Sequence, residues 1–264
     1  MRQGTAGPET TFSAEVADGW QAGRGPHGGY LAAMLLRALV ETVADAARAP
    51  RSLTIHYPRA PEPGPMRIRT VLERKGRSLS TLSARMEQNG RPTALALAAF
   101  SVPWGGPEIS DIEMPVVAPP SAAREPGSVV DGVPFTRHIT LQQRFGGVPF
   151  AAENDRMEIG GWLGLFEPRP VDALSLAFFA DALVPAPFMR MREPNAASTI
   201  DLTVHFRQAL PRRQPPDPEE LLLVRVRGGL VREGFFEEDT VMWASDGSVL
   251  AHSRQLALLI GGGG

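Results

Sequence analysis

The chain of 264 residues contains no cysteine. That excludes disulfides and thiolate metal sites, and a reducing compartment suits such a composition. It also lacks a marked excess of either charge. The formal net charge of -2 gives no sign of a nucleic-acid surface or a polybasic membrane patch. There is no bilayer-length apolar run near the start: the greasiest segment, YLAAMLLRALV, is short and carries Arg37. The opening residues, MRQGTAGPETTFSAEV, hold no apolar stretch of the secretory kind. GxSxG is missing, so a serine acyl-enzyme is not suggested. No histidines and acids fall at metal-ligand spacing. The expectation is a cytoplasmic protein with no metal or cofactor.

What is present is a repeat. The hydrophobic fraction of 43% supports a sizeable core. LTIHY at Leu53 to Tyr57 returns as LTVHF at Leu202 to Phe206. A long apolar segment precedes each copy, and the spacing predicts helices over Gly28 to Ala47 and Val171 to Val184. A proline-rich turn and three strands follow each copy. Two of those strands are joined through Asn89-Gly90 in the first half and Asp246-Gly247 in the second, dipeptides that favour tight hairpins. Between the halves, about Pro103 to Pro134, the chain is rich in proline and without periodicity. The expected division is an N-terminal unit over 1–104, a linker over 105–134, a C-terminal unit over 135–260 and a glycine tail over 261–264.

Both predicted helices are apolar nearly all the way round, so each must be wrapped by other structure. An antiparallel sheet curled around one helix is the hot-dog arrangement. Two copies make an α+β double hot dog, whose sheets should join edge to edge with both helices on one side. Whole chains are then expected to pair again as a dimer, because an edge or face remains to be covered.

At this point the sequence resembles the TesB-like acyl-CoA thioesterases. The resemblance covers most of the chain. It rests on GPHGGYLAAMLLRAL, on RKGRSLSTLSARMEQNGRPTALALAAF, and on FFADAL, ASTIDLTVHF and HSRQLAL in the second half. It implies that Asp181, Thr199 and Gln255 together activate a water, and that the substrate is an acyl-CoA or other acyl thioester. Two positions depart from the family pattern. Leu202 stands where a histidine is frequent, and His205 where a tryptophan is common, which bears on the substrate pocket.

Read from the residues alone, the same positions leave alternatives open. Asp181 shares a helical stripe with Leu174, Ala177 and Phe178, so an acid points with the apolar face. It is either functional or satisfied by a backbone cap or by Arg37, its counterpart in the first helix. Gln255 stands where the first half has Ala98, on the small-residue face; it either holds water or is a satisfied core amide. Strict alternation places Thr199 on the opposite face with Asp201, Thr203 and His205, unless the strand bulges there. Gly28 and Gly29 either let a thioester reach free N–H groups at a helix start or simply permit a sharp turn. His27 could line that place or serve the turn. Arg74, Lys75 and Arg77 either meet coenzyme A phosphates or form a solvated turn.

Two rival functions remain. A hot-dog hydratase or dehydratase would use His27 or His205 with Asp181 or Asp201. A non-catalytic acyl or lipid binder would need none of these.

Overall fold

The computed structural model describes residues 9–127, 133–151, 154–212 and 215–261. Most of the expected glycine tail, 262–264, lies outside the described residues, as do 128–132 of the expected linker. The first half contains β1 (Glu9–Val16), α1 (Gly28–Val43), β2 (Ala49–His56), β3 (Gly64–Lys75), β4 (Leu79–Gln88) and β5 (Arg91–Ser101). The second contains β6 (Ile139–Phe145), β7 (Glu158–Leu165), α2 (Ala173–Phe179), β8 (Ala196–Phe206), β9 (Leu222–Arg232), β10 (Phe235–Trp243) and β11 (Val249–Ile260).

The strands form one antiparallel sheet in the order β1-β3-β4-β5-β2-β8-β11-β10-β9-β7-β6. Outward from the β2–β8 seam, the repeated strands occur in the same order on both sides. At the seam Leu53 pairs with Val204 and Ile55 with Leu202. All four side chains are fully buried, beneath the helices. On the outer face of the same pair, the Thr203 hydroxyl donates to Thr54 Oγ1 at 3.1 Å. The parity that puts Leu53 and Ile55 inward puts His56 and His205 outward, where both are exposed.

The hairpin expectations are met in part. Asn89 (φ 52°) and Gly90 (φ 73°) connect β4 directly to β5, a pair of left-handed residues as such a turn requires. Asp246-Gly247 instead sits within the longer loop from Ala244 to Ser248, and only Gly247 has positive φ. The second half has a turn of two left-handed residues at a different place, Glu233-Gly234 (φ 54° and 81°), between β9 and β10, the counterparts of β3 and β4.

The helices differ from expectation. α1 ends at Val43, four residues early, with Ala44 left-handed and its N–H on the Val40 carbonyl. α2 keeps only seven of the fourteen residues expected. Asp172 caps its start, accepting from the Ser175 N–H at 2.7 Å. Beyond Phe179 the chain tightens, with Asp181 N–H on Phe178 O and Ala182 N–H on Phe179 O, and Pro185 and Pro187 prevent further helix. Asp181 therefore stands in the turn after α2, not on its apolar stripe. The segment after β5 has no regular element through residue 127, yet it is tied down. Trp162 Nε1 donates to Ala118 O at 2.9 Å, and Arg124 reaches Leu165 O and Glu219 O. Met114 and Val117 cover a small cluster of Trp162, Leu221, Leu223 and Trp243.

Among the described residues, no helix is long and apolar enough to cross a membrane.

Candidate functional site

The turn after α2 meets the first turn of α1. Gly29 N–H donates to Asp181 Oδ2 at 3.0 Å, and the nearby Gly28 amide also favours the charged carboxylate. A Cβ on Gly28 would lie 2.7 Å from Asp181 Oδ2, and one on Gly29 only 2.3 Å from the Phe178 carbonyl oxygen. Both glycines are thus required by close approach, but what approaches is Asp181 and the end of α2. The Gly29 N–H, expected to be free for a substrate carbonyl, is engaged with the acid.

His27 holds this junction together. Its Nδ1 accepts from the Tyr30 N–H at 3.2 Å, so that nitrogen carries no proton. Nε2–H then donates to the Asp181 carbonyl oxygen at 2.7 Å and stands 3.6 Å from Oδ2. The ring is 2% exposed, stacked on Phe135 with Phe178 at its edge. Burial holds its pKa below the usual histidine value, against the pull of Asp181. His27 is a neutral helix cap with both ring nitrogens engaged within the fold. Tyr57, for which the sequence carries no signal, supports the same turn: its hydroxyl donates to Gly28 O at 3.0 Å.

Arg37 plays no part here. It pairs with Glu41 at 2.7 Å on the exposed side of α1.

Thr199 arrives by a bulge. Leu256 pairs with Asp201 but Ala257 pairs with Thr199, so Ile200 is an extra residue in β8. The extra residue turns Thr199 inward while Asp201 keeps its outward parity. Thr199 Oγ1 lies 3.4 Å from Asp181 Oδ1 and 3.2 Å from Gln255 Oε1, with geometry to donate to either. Gln255, 8% exposed, sits on the inward face of β11 with Ser253 and Ala251. The three side chains, from separate segments of the chain, thus meet.

The network has a further member. Gln255 Nε2 donates to Glu238 Oε2 at 2.6 Å, and the Ala186 N–H donates to Glu238 Oε1. Glu238 on β10 is 2% exposed. Burial pushes its carboxyl up to about 7, opposed by those two donors and reinforced by the nearby Asp181 charge. The sequence held a signal for it. Phe236, Glu238, Thr240 and Met242 alternate as an inward face, so an acid stands at a core position.

Asp181 is subject to opposed effects. Its side chain is only 12% exposed, and burial raises its pKa. His27, the two glycine amides and the Thr199 hydroxyl pull it back. The amides belong to the start of a 16-residue helix, where the dipole favours an anion. The result is a carboxylate raised above its ordinary value and surrounded by donors, a better proton acceptor than an exposed aspartate.

A groove of about 660 Å³ opens alongside, between α1, α2 and β1. Phe12, Met34, Leu165 and Leu174 make it mostly apolar, and Tyr30 and Phe178 belong both to its wall and to the surroundings of His27. Among the described residues, no three or more histidines and acids are placed to hold a metal. Lys75 and Arg74 lie at the exposed end of β3, away from these residues in sequence and sheet position.

A sheet folded over two helices, with a buried acid between them, defines a class, and comparison with known proteins agrees. The chain is similar to a conserved protein of unknown function with hot dog fold from Alicyclobacillus acidocaldarius, with TM-score 0.84 and 24% identity over 95% of this chain and 93% of that one. It is also similar to a provisionally assigned thioesterase II from Thermobifida fusca, with TM-score 0.77 and 26% identity over 94% and 92% of the two chains. Residues 16–101 match the acyl-CoA thioesterase N-terminal domain, and residues 114–259 the acyl-CoA thioesterase C-terminal domain. The chain belongs to the acyl-CoA thioesterase family. Uncharacterized proteins of Mycobacterium tuberculosis and Mycobacterium bovis are 30% identical over 97 residues, 35% of this chain. That match spans 33% of the length of those curated relatives.

Proposed function

We propose that the chain is an acyl-CoA thioesterase that hydrolyses its substrate with a water activated by Asp181, Thr199 and Gln255. The observation that carries this is the Thr199 hydroxyl within hydrogen-bonding distance of both Asp181 Oδ1 and Gln255 Oε1. A water at this triangle donates one hydrogen to the carboxylate and is oriented by the other two groups. Its oxygen attacks the thioester carbonyl carbon while Asp181 takes the proton. The tetrahedral intermediate collapses, the C–S bond breaks, and the thiolate regains that proton from Asp181. The products are a carboxylic acid and coenzyme A.

Gly28, half-buried beside the acid, is where the thioester carbonyl meets bare backbone. Gly29 and His27 act behind it by holding Asp181 and the helix start. The apolar groove between α1 and α2 suits an acyl chain. The whole is read as a double hot dog. Its units run over 1–104 and 135–260, with 105–134 as the connection, supported by the matching strand order on either side of the β2–β8 seam. Exposed Leu95 and Leu97 on the outer sheet face favour pairing of two chains.

The hydratase alternative draws little support, because both His27 nitrogens are engaged and His205 lies on the opposite face of the sheet. The test is a series of acyl-CoAs of increasing chain length with free thiol as the readout. Thiol release that depends on chain length is expected. Loss of enoyl absorbance from crotonyl-CoA without thiol, or tight binding with no turnover at any length, would overturn the reading.

A further inference from the structure

The Gln255 amide has two chemically different ends, and which end faces the site decides what Thr199 does with its single hydrogen. Glu238 in its ionised form, in which both oxygens can only accept, settles the choice. Its Oε1 accepts from the Ala186 N–H, a backbone group that can only donate. Its Oε2 accepts from Gln255 Nε2 at 2.6 Å. Gln255 must then present Oε1 to Thr199, 3.2 Å away. That carbonyl competes with Asp181 Oδ1, at 3.4 Å, for the Thr199 hydrogen. With the hydrogen on Gln255, Asp181 Oδ1 remains an open acceptor. If the amide were reversed, its NH2 would donate to Thr199, and Thr199 would be turned onto Asp181, occupying the oxygen that must receive the proton of water.

We infer that Glu238 is a positioning residue for the hydrolysis. It fixes the direction of the hydrogen-bond chain Ala186–Glu238–Gln255–Thr199 and so keeps Asp181 free to act as base. The inference rests on the thioesterase reading for its kinetic consequence, but the direction of the chain can be measured without turnover. Glu238 is 2% exposed and does not line the groove between α1 and α2, so it acts through Gln255 and not on substrate. The charged group facing it is Asp181, with His27 beyond.

The test is Glu238→Gln, which changes shape very little. In that variant the carbonyl of the introduced amide must serve the Ala186 N–H. Its NH2 then faces Gln255, and the Gln255 amide has to reverse. The expected result is a fall in kcat of about tenfold or more with KM nearly unchanged. In addition, the Asp181 carboxyl, followed by carbon-13 NMR with labelled aspartate and assigned through Asp181→Asn, should titrate at lower pH than in the wild type. It now holds the Thr199 hydrogen bond and no longer faces the Glu238 charge, and both changes favour its charged form. The swapped pair Glu238→Gln with Gln255→Glu matches every donor to an acceptor again. It should regain turnover over the single variant and move the Asp181 titration upward, because a negative charge then stands one residue away. It also serves as the test should the single variant not fold.

An unchanged kcat and Asp181 titration in Glu238→Gln would overturn the inference. A loss of kcat with the titration unmoved would overturn it as well, reducing Glu238 to a packing role. A swapped pair as inactive as Asp181→Asn would do the same. Absence of thiol release by the wild type would instead remove the hydrolase reading, leaving the NMR titration to decide the direction of the chain.

Discussion

Two buried acids, Asp181 and Glu238, sit at the ends of a short relay, and each is raised by burial while donors restrain it. For Glu238 the sign of its effect on stability is definite. Its folded pKa of about 7 lies above the ordinary 4.5, so the folded state binds the proton more tightly. The stability this gives is fully present below about pH 4.5 and is lost as the pH rises through about 7. The span corresponds to at most about 3 kcal/mol. His27 works in the opposite sense below its own unfolded value, because it is held neutral in the fold. A comparison of wild type with Glu238→Gln cancels that contribution. Thermal unfolding from pH 5 to pH 8 should show the variant gaining on the wild type as pH rises. A difference independent of pH would mean that Glu238 does not titrate in this range.

At the scale of elements, the site is a junction between the start of α1 and the end of α2, and its two glycines answer to different neighbours. A Cβ on Gly29 would strike the Phe178 carbonyl, which is backbone and cannot swing away. Gly29→Ala should therefore lower stability by about 1–3 kcal/mol. A Cβ on Gly28 would strike Asp181 Oδ2, the end of a side chain. Gly28→Ala should cost less stability and more turnover, because the acid itself must move. Urea unfolding of the two variants beside their kcat values checks the contrast; equal losses in both measures would contradict it.

The same junction marks what the sequence could convey. FFADAL announced an acid among apolar residues, but helical periodicity continued through it. The stop came from proline a few residues later and from the tie to α1, a tertiary contact that no local pattern contains. The PHGGY glycines were legible as a place of close approach; what comes close was not. Thr199 illustrates the limit most clearly. Alternation sent it outward, and one extra residue, Ile200, brings it in. Glu238 could have been found by the same alternation, since Phe236 and Thr240 flank it on the inward face.

On the scale of the whole molecule, the repeat was the most readable feature, because duplicated strands and turn dipeptides are local signals. LTIHY and LTVHF became the paired strands at the centre of the sheet, with Leu53, Ile55, Leu202 and Val204 in one core that reaches from α1 to α2. The outer strands β1 and β6 at the two edges, and β7 beside β6, were not foreseen; Gly160 and Gly161 weaken any strand pattern in β7. Because the seam is shared, the two halves should unfold together. Far-UV circular dichroism and tryptophan fluorescence are expected to give coincident transitions. Leu53→Ala and Leu202→Ala should each shift the whole transition, by about 2–5 kcal/mol. Two separable transitions, with Leu53→Ala moving only one, would contradict a common core.

The turnover of Asp181→Asn tests the proposed role of the buried acid most directly. Asparagine keeps the size of the side chain and an acceptor for Gly29 N–H, but it cannot take a proton from water. With an acyl-CoA that the wild type hydrolyses, kcat measured by thiol release should fall by about 10²-fold or more while KM stays close to its wild-type value. Turnover equal to the wild type would contradict the assignment of Asp181 as the base.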